Sequence, residues 1–179
     1  MTTFLLIRHG EANYKPVNDR NFIGHGLDLA PLSELGISQI KQAAKSKKLK
    51  DSEIILTSPY TRALQSAAII SKELDLDIIV EVDLHEWIPD IVNFQHKTTQ
   101  QCMDLAHDYN VNNGVHPQGE VKVWETLASV KKRTESVLSK YHKYNKVIVV
   151  CHGMVIKTQK EQDKIKNGEI IRIKVTVED

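Results

Sequence analysis

The chain has little of anything that would let charge, metal or cross-links define its purpose. Its 24 Lys and Arg nearly cancel its 23 Asp and Glu, leaving a formal net charge of +1. No global field therefore draws it to nucleic acid or to an anionic membrane. Two cysteines, Cys102 and Cys151, are too few for a disulfide framework and lack metal-ligand spacing. Cys151 closes an apolar run and reads as a small buried hydrophobe, consistent with a reducing compartment. No apolar stretch approaches the length needed to span a bilayer. The opening MTTFLLIRHGE is a short apolar run followed by charge. Without a basic leader or cleavage signal it reads as a first core strand. These absences lead to the expectation of a cytoplasmic protein with neither a membrane nor a nucleic-acid partner, and nothing here sets an oligomeric state. The Lys-rich stretches 41–50 and 131–146 fall on amphipathic helical patterns and read as solvated faces.

What is present is ordinary for a globular domain. At 179 residues, 41% hydrophobic and 26% charged, the chain can bury roughly 70% of its unfolded surface without staples. A single domain over 1–179 is expected, with no internal repeat. Strands are predicted at Phe4–Ile7, Glu53–Leu56, Ile78–Val82 and Val147–Val150, all short apolar runs. A half-exposed final strand is predicted at Glu169–Val177 from its alternation. Helices are predicted from a Ser33 cap to about Lys48, and from Ser58-Pro59 to Leu74. Others follow near Gln100–Tyr109, Val121–Tyr144 and Met154–Gln162. Residues 13–31 read as a long loop, and 87–120 as a lid-like insertion.

Strands alternating with helices predict a three-layer α/β/α sandwich. Its central sheet is mainly parallel, with one antiparallel edge strand. Ligands bind such sheets outside the carboxyl ends of the strands. Here those ends carry Arg8-His9-Gly10, Ser58-Pro59 leading to Arg62, and His152-Gly153, with Glu86 after the third strand. Singly, each has a bland reading as a core histidine or a solvated charge. Two His-Gly dipeptides closing two buried strands are harder to explain that way. The residue types suit phosphoryl transfer. A neutral imidazole can attack phosphorus and hold it covalently. Two guanidiniums, Arg8 and Arg62, offer bidentate contacts to phosphoryl oxygens. A second, cationic histidine can neutralise charge on those oxygens, and a carboxylic acid can protonate the leaving alkoxide. Such a site asks for no metal and no cofactor.

The motifs resemble those of the histidine phosphatase superfamily, the phosphoglycerate mutase-like branch 1. Leu5 to Ala12 is similar to its RHGE signature, and Pro31-Leu32-Ser33-Glu34-Leu35-Gly36 with Gln39 to a second motif. Leu56 to Ala67, with Ser58-Pro59 and Arg62-Ala63, resembles a third, and Val149 to Gly153 the second histidine motif. The resemblance implies a phosphorylated His9 and a phosphate pocket of Arg8, Arg62 and His152, with Gly10 alongside. It implies Glu86 as proton donor, with His85 and Asp90 as rivals. The family's asparagine after the nucleophile falls at Lys15, so Asn13 or Asn18 would substitute, Asn13 being the nearer.

Phosphatase and mutase share this machinery. The mutases implied by the resemblance carry an insertion that shields the phosphoenzyme from water, and this chain is too short for all of it. Hydrolysis of a small-molecule phosphate ester is therefore expected. The alternatives are mutase-type transfer, protein-phosphohistidine hydrolysis, or a non-catalytic phosphate-binding protein of the same fold. Loss of either histidine or either arginine would favour the last, and all four are present. Trp87, Phe94, His96, His107, Tyr109, His116 and Trp124 are candidates to line the substrate pocket, although aromatics more often fill a core.

Overall fold

In the computed structural model, which describes residues 1–94 and 99–176, five strands form one sheet in the order β3-β2-β4-β1-β5. They are β1 (Thr2–Arg8), β2 (Ile54–Thr57), β3 (Ile78–Val80), β4 (Lys146–Cys151) and β5 (Ile170–Val175). The first four run parallel, and β5 pairs antiparallel with β1. Six α-helices accompany them: α1 (Lys15–Asn18), α2 (Glu34–Ala44), α3 (Thr61–Leu74), α4 (Thr99–Val111), α5 (Leu127–Ser139) and α6 (Gly153–Gln159).

The two faces of the sheet follow from the period-two alternation of its buried strands. Leu5, Ile7, Ile55, Ile148 and Val150 pack against Ile40 and Ala44 of α2 and Ala63, Ala67 and Ile70 of α3. Phe4, Leu6, Leu56, Val147 and Val149 face the opposite way, onto Val130, Val137 and Leu138 of α5 and Val155 and Ile156 of α6. The sandwich expected from the strand–helix alternation is the one observed.

Several boundaries differ from the sequence reading. Residues 121–126 do not join α5. Val121 and Val123 are exposed while Trp124 is fully buried, an alternation suited to extended chain. That segment pairs with 88–91, Ile91 N donating to Val123 O and Glu125 N to Ile88 O. Thr126 then caps α5, its Oγ1 accepting from Ser129 N at 3.1 Å. Pro59 lies outside α3, which begins at Thr61 with Tyr60 as its cap residue. Ser33 does cap α2, accepting from Gly36 N, but α2 ends at Ala44, where Ser46 opens a separate 3₁₀ turn over Lys47–Leu49. The loop 13–31 contains α1, started by Pro16, and a 3₁₀ turn over Gly24–Leu29. Strand β3 is three residues long and largely exposed, because it has one neighbour.

The described residues of segment 87–120 are tied to the core through three aromatic side chains. Trp87, Tyr109 and Trp124 form edge-to-face pairs with centroids 5.1 and 5.3 Å apart. Their indole nitrogens donate to Glu125 O and Asp108 Oδ2. So Tyr109 and Trp124 are core residues, and His116 packs on Trp124 at 4.6 Å. His107 is exposed, and His96 lies outside the described residues.

Where β1 ends, Gly10 crosses α2 at Gly36. A Cβ on Gly10 would lie 2.8 Å from the Gly36 carbonyl carbon and 2.9 Å from its Cα. The obstacle is backbone, which cannot swing aside. Gly10→Ala should therefore lower unfolding free energy by about 1–3 kcal/mol through overpacking. Urea titration of the purified variant measures it, and an unchanged midpoint would refute the crossing argument.

Candidate active site

The register of the sheet assembles the site. Arg8 pairs with Cys151, and Thr57 with Val150. Just beyond these pairs, His9 N donates to Cys151 O and Ser58 N to Val150 O. With β4 between β1 and β2, His152 sits between His9 and Ser58. The His9 and His152 rings lie edge to face with centroids 5.0 Å apart. A cavity of about 420 Å³ opens over this edge. Arg8, His9, Arg62 and Glu86 line it, with Tyr14, His25, Asp28, Tyr60, Trp87 and Asn167 among their neighbours.

His9 is buried, and its Nδ1 lies 2.6 Å from the Gly10 carbonyl oxygen. A carbonyl only accepts, so Nδ1 carries the proton and Nε2 presents its lone pair. Burial first, then the charges of Arg62 and Arg8, pull the His9 pKa down to about 3. The ring is thus neutral throughout the physiological range. Arg62, also buried, donates from Nε to His9 Nε2 at 3.3 Å and from Nη1 to Asp28 Oδ1 at 3.1 Å.

His152 is fully buried, and its Nε2 lies 2.7 Å from Ser58 Oγ. Ser58 Oγ also accepts from Tyr60 N. Its hydroxyl can donate to His152 Nε2, an arrangement that puts the single proton of a neutral ring on Nδ1. That Nδ1 and Arg8 Nε are both buried nitrogens without a hydrogen-bond partner. A bound anion beside them would give both nitrogens a partner. Burial, then His9 and Arg62, hold the His152 pKa well below its ordinary value. The ring is therefore neutral here, where the sequence reading expected a cation, because it is surrounded by cationic and buried groups.

Arg8 is fixed by the chain that returns before β5. Its Nη1 donates to Ile165 O at 2.6 Å, and its own carbonyl accepts from Gly168 N. Asn167 Nδ2 donates to His9 O at 2.8 Å. Gly10 N donates to Ser66 Oγ, so this glycine serves the helix crossing and does not line the cavity. Asn13 is exposed, and its Oδ1 accepts from Lys15 N at the start of α1; it too is absent from the lining.

Glu86 approaches from the opposite wall. Its carboxylate accepts from Trp87 N at 2.9 Å and from Met154 N at 3.2 Å. Burial raises its pKa above the ordinary carboxyl value, against the pull of these two N–H groups and the two arginines. The rival acids lie elsewhere: neither His85 nor Asp90 lines the cavity. Asp90 Oδ1 accepts from Val92 N and Asn93 N, and His85 Nδ1 lies 2.7 Å from Glu86 O.

Two residues that the sequence did not single out hold this wall. Arg133 of α5 makes a bidentate pair with Glu125, at 2.8 and 3.0 Å. The same guanidinium donates to the carbonyls of Asp83, His85 and Glu86. It thereby pins the turn that presents the Glu86 carboxyl. The only sequence signal was an Arg inside a Lys-rich helix, which looks like solvated surface.

The profile of the histidine phosphatase superfamily (branch 1) matches residues 4–162. The chain belongs to that superfamily. Phosphoserine phosphatase 1 of Hydrogenobacter thermophilus is 26% identical over 164 residues, spanning 85% of this chain and 71% of the relative. A 2,3-bisphosphoglycerate-dependent phosphoglycerate mutase of a Methylobacterium species is 28% identical over 158 residues, spanning 83% and 74%. The solved structure of Bacillus stearothermophilus YhfR superposes with a TM-score of 0.73 at 24% identity, over 98% of this chain and 92% of that one. This superfamily thus joins phosphatases and phosphoglycerate mutases among the relatives of one chain.

The side chains of Arg133 and Glu125 are only 11% and 6% exposed. Removing one partner leaves an uncompensated buried charge, so Arg133→Met should cost about 3–5 kcal/mol of unfolding free energy. Arg133→Met combined with Glu125→Leu should recover much of that loss. Denaturant titration of the single and double variants checks both, and a double variant no better than the single would contradict the pairing.

Proposed function

We propose that this chain hydrolyses phosphomonoesters of small molecules through a phosphohistidine on His9, without a metal ion. The observation that carries the reading is the hydrogen bond from His9 Nδ1 to Gly10 O. It leaves Nε2 as the unprotonated nitrogen, accepting from Arg62 Nε at 3.3 Å in a cavity that Arg8, Arg62 and Glu86 also line. In the first step Nε2 attacks phosphorus, and the phosphorus–ester oxygen bond breaks. The electron pair stays on the leaving oxygen, which takes its proton from Glu86. Arg8, Arg62 and the Nδ1–H of His152 hold the non-bridging oxygens as charge builds on them. In the second step water attacks the phosphohistidine and gives a proton to the Glu86 carboxylate. The phosphorus–nitrogen bond then breaks, restoring Nε2 and releasing phosphate.

Hydrolysis is favoured over transfer to a second substrate hydroxyl by the content of the cavity. Among the described residues its cationic side chains are Arg8 and Arg62, a complement suited to one phosphoryl group. The positive charge they supply takes the place of a metal ion in the proposed step. Asn13, exposed and turned to Lys15 N, has no part in this scheme.

A brief pulse of labelled substrate should leave acid-labile, base-stable label on the protein, and His9→Ala should remove both label and turnover. Turnover above a few per cent in that variant would defeat the proposal. Vanadate should inhibit, and a chelator should not.

The pH dependence has a definite sign. Productive free enzyme needs His9 without its proton and Glu86 with it. The His9 pKa of about 3 places the acid limb of kcat/KM far below the usual histidine range. The raised Glu86 pKa makes kcat/KM fall as pH rises through it. In Glu86→Gln that alkaline limb should vanish. The loss should reach about 10²–10⁴-fold on an alkyl phosphate and distinctly less on nitrophenyl phosphate. Comparing the two proteins on one substrate cancels the titration of the substrate itself. A limb that persists in Glu86→Gln would reassign the acid.

A further inference from the structure

Asp28 is not needed for phosphoryl transfer as proposed, yet it stands inside the site. Its Oδ1 accepts from Arg62 Nη1 at 3.1 Å, the guanidinium whose Nε faces His9 Nε2. Its Oδ2 lies 3.1 Å from His25 Nδ1. The Tyr60 phenol, pushed up in pKa by burial and then by Asp28, closes the same wall. Glu11 also lines the cavity, at its exposed rim. Tyr14 and Trp87 add aromatic surface.

The charges do not balance once a phosphate ester is seated. Its dianion uses the two positive charges of Arg8 and Arg62. Glu86 holds its proton until the leaving group departs. Asp28 then shares the Arg62 guanidinium with the phosphoryl group, while its Oδ2 lies 3.1 Å from His25 Nδ1. In a partly desolvated cavity an uncompensated carboxylate is costly. A cation on the leaving group would restore neutrality.

We propose that Asp28 selects phosphomonoesters whose leaving group carries an ammonium, such as short aminoalkyl phosphates. The proposal rests on the phosphatase reading and names the substrate class of that same cavity. The arrangement disfavours leaving groups that carry a carboxylate or a second phosphate, since these would meet Asp28 and Glu11.

Three short-chain substrates test it: aminoethyl phosphate, propyl phosphate and phosphoglycolate, with nitrophenyl phosphate as a control for turnover. The unaltered protein should show kcat/KM about tenfold or more higher for aminoethyl than for propyl phosphate, the size expected of one charge-assisted contact. Phosphoglycolate should be poorest. In Asp28→Asn, whatever its absolute rates, the ratio of aminoethyl to propyl phosphate should fall toward one. A ratio near one in the unaltered protein overturns the proposal, as does a preference for phosphoglycolate or a ratio that survives Asp28→Asn. Because the substrate series needs no variant, misfolding of Asp28→Asn cannot rescue it. Hydrolysis of nitrophenyl phosphate with no amine preference sinks the selectivity alone, whereas no hydrolysis of any ester sinks the phosphatase reading beneath it.

Discussion

The proton on His9 Nδ1 is fixed by one carbonyl, that of Gly10, at 2.6 Å, and the proposed chemistry depends on that contact. Were the proton on Nε2, the ring would face Arg62 with a donor instead of a lone pair. The carbonyl is in place because the chain passes directly against α2 after β1, and it can approach that closely because position 10 has no side chain. Gly36 of α2 lies against it, and a Cβ on Gly36 would meet Glu11 N at 2.8 Å. Two backbones thus touch where most pairs of segments keep side chains between them. Ser66 of α3 accepts the Gly10 N–H and donates to Arg62 O, linking the same contact to the turn that carries Arg62. Helix packing, the tautomer of His9 and the position of Arg62 are one set of constraints.

The opposite wall is built on a different principle. Around His9 the positive charges are few and directed at one small volume. Around Glu86 burial raises the pKa of the carboxyl while its backbone is fixed by Arg133. The Arg133–Glu125 pair need not stabilise the fold relative to an apolar pair, since desolvation offsets much of its Coulomb gain. What the pair does is geometric. A planar guanidinium with five donors reaches two carboxylate oxygens and three carbonyls at once, which lysine cannot. Such a clamp suits a turn that must present a carboxyl at a fixed distance from another strand's end.

The sheet and the four motif segments were legible because each rests on local signals. Short apolar runs ended by Gly, Pro or polar residues fix the strands, and the strand-end rule then brings His9, Ser58 and His152 together. Three features were not legible, each for a tertiary reason. Val121 to Glu125 continue the apolar spacing of α5, yet pairing with 88–91 and burial of Trp124 draw them into extended chain. Ser58 has the composition of a helix cap, but its hydroxyl lies against His152 Nε2, across a sequence gap of 94 residues. Asp28 looks like a loop residue in a polar stretch, and only the folded 3₁₀ turn puts its carboxylate on Arg62. The cationic reading of His152 failed for a related reason: residue type gave the possible charge, while burial and the neighbouring cations decide it.

These features bear on how one scaffold is compatible with both phosphatase and mutase relatives. The parts that would act on phosphorus come from strand ends and from the first turn of α3, and are fixed by sheet register and helix packing, which tolerate little change. The parts that would meet the leaving group come from segments outside the sheet: the 3₁₀ turn with Asp28, the α3 entry with Tyr60, and the chain from Trp87 to Pro89. The last of these is anchored to the core through Trp87 and Trp124, while Ile91, Val92 and Phe94 beside it stay exposed. Substitutions there alter the charge and shape met by the leaving group without disturbing the tautomer of His9 or the pairing of β1 with β4. In the proposed scheme the phosphoryl-transfer machinery and the choice of substrate therefore sit on separate parts of the fold. The first depends on backbone crossings that a single methyl would break, the second on loop side chains that can change one at a time.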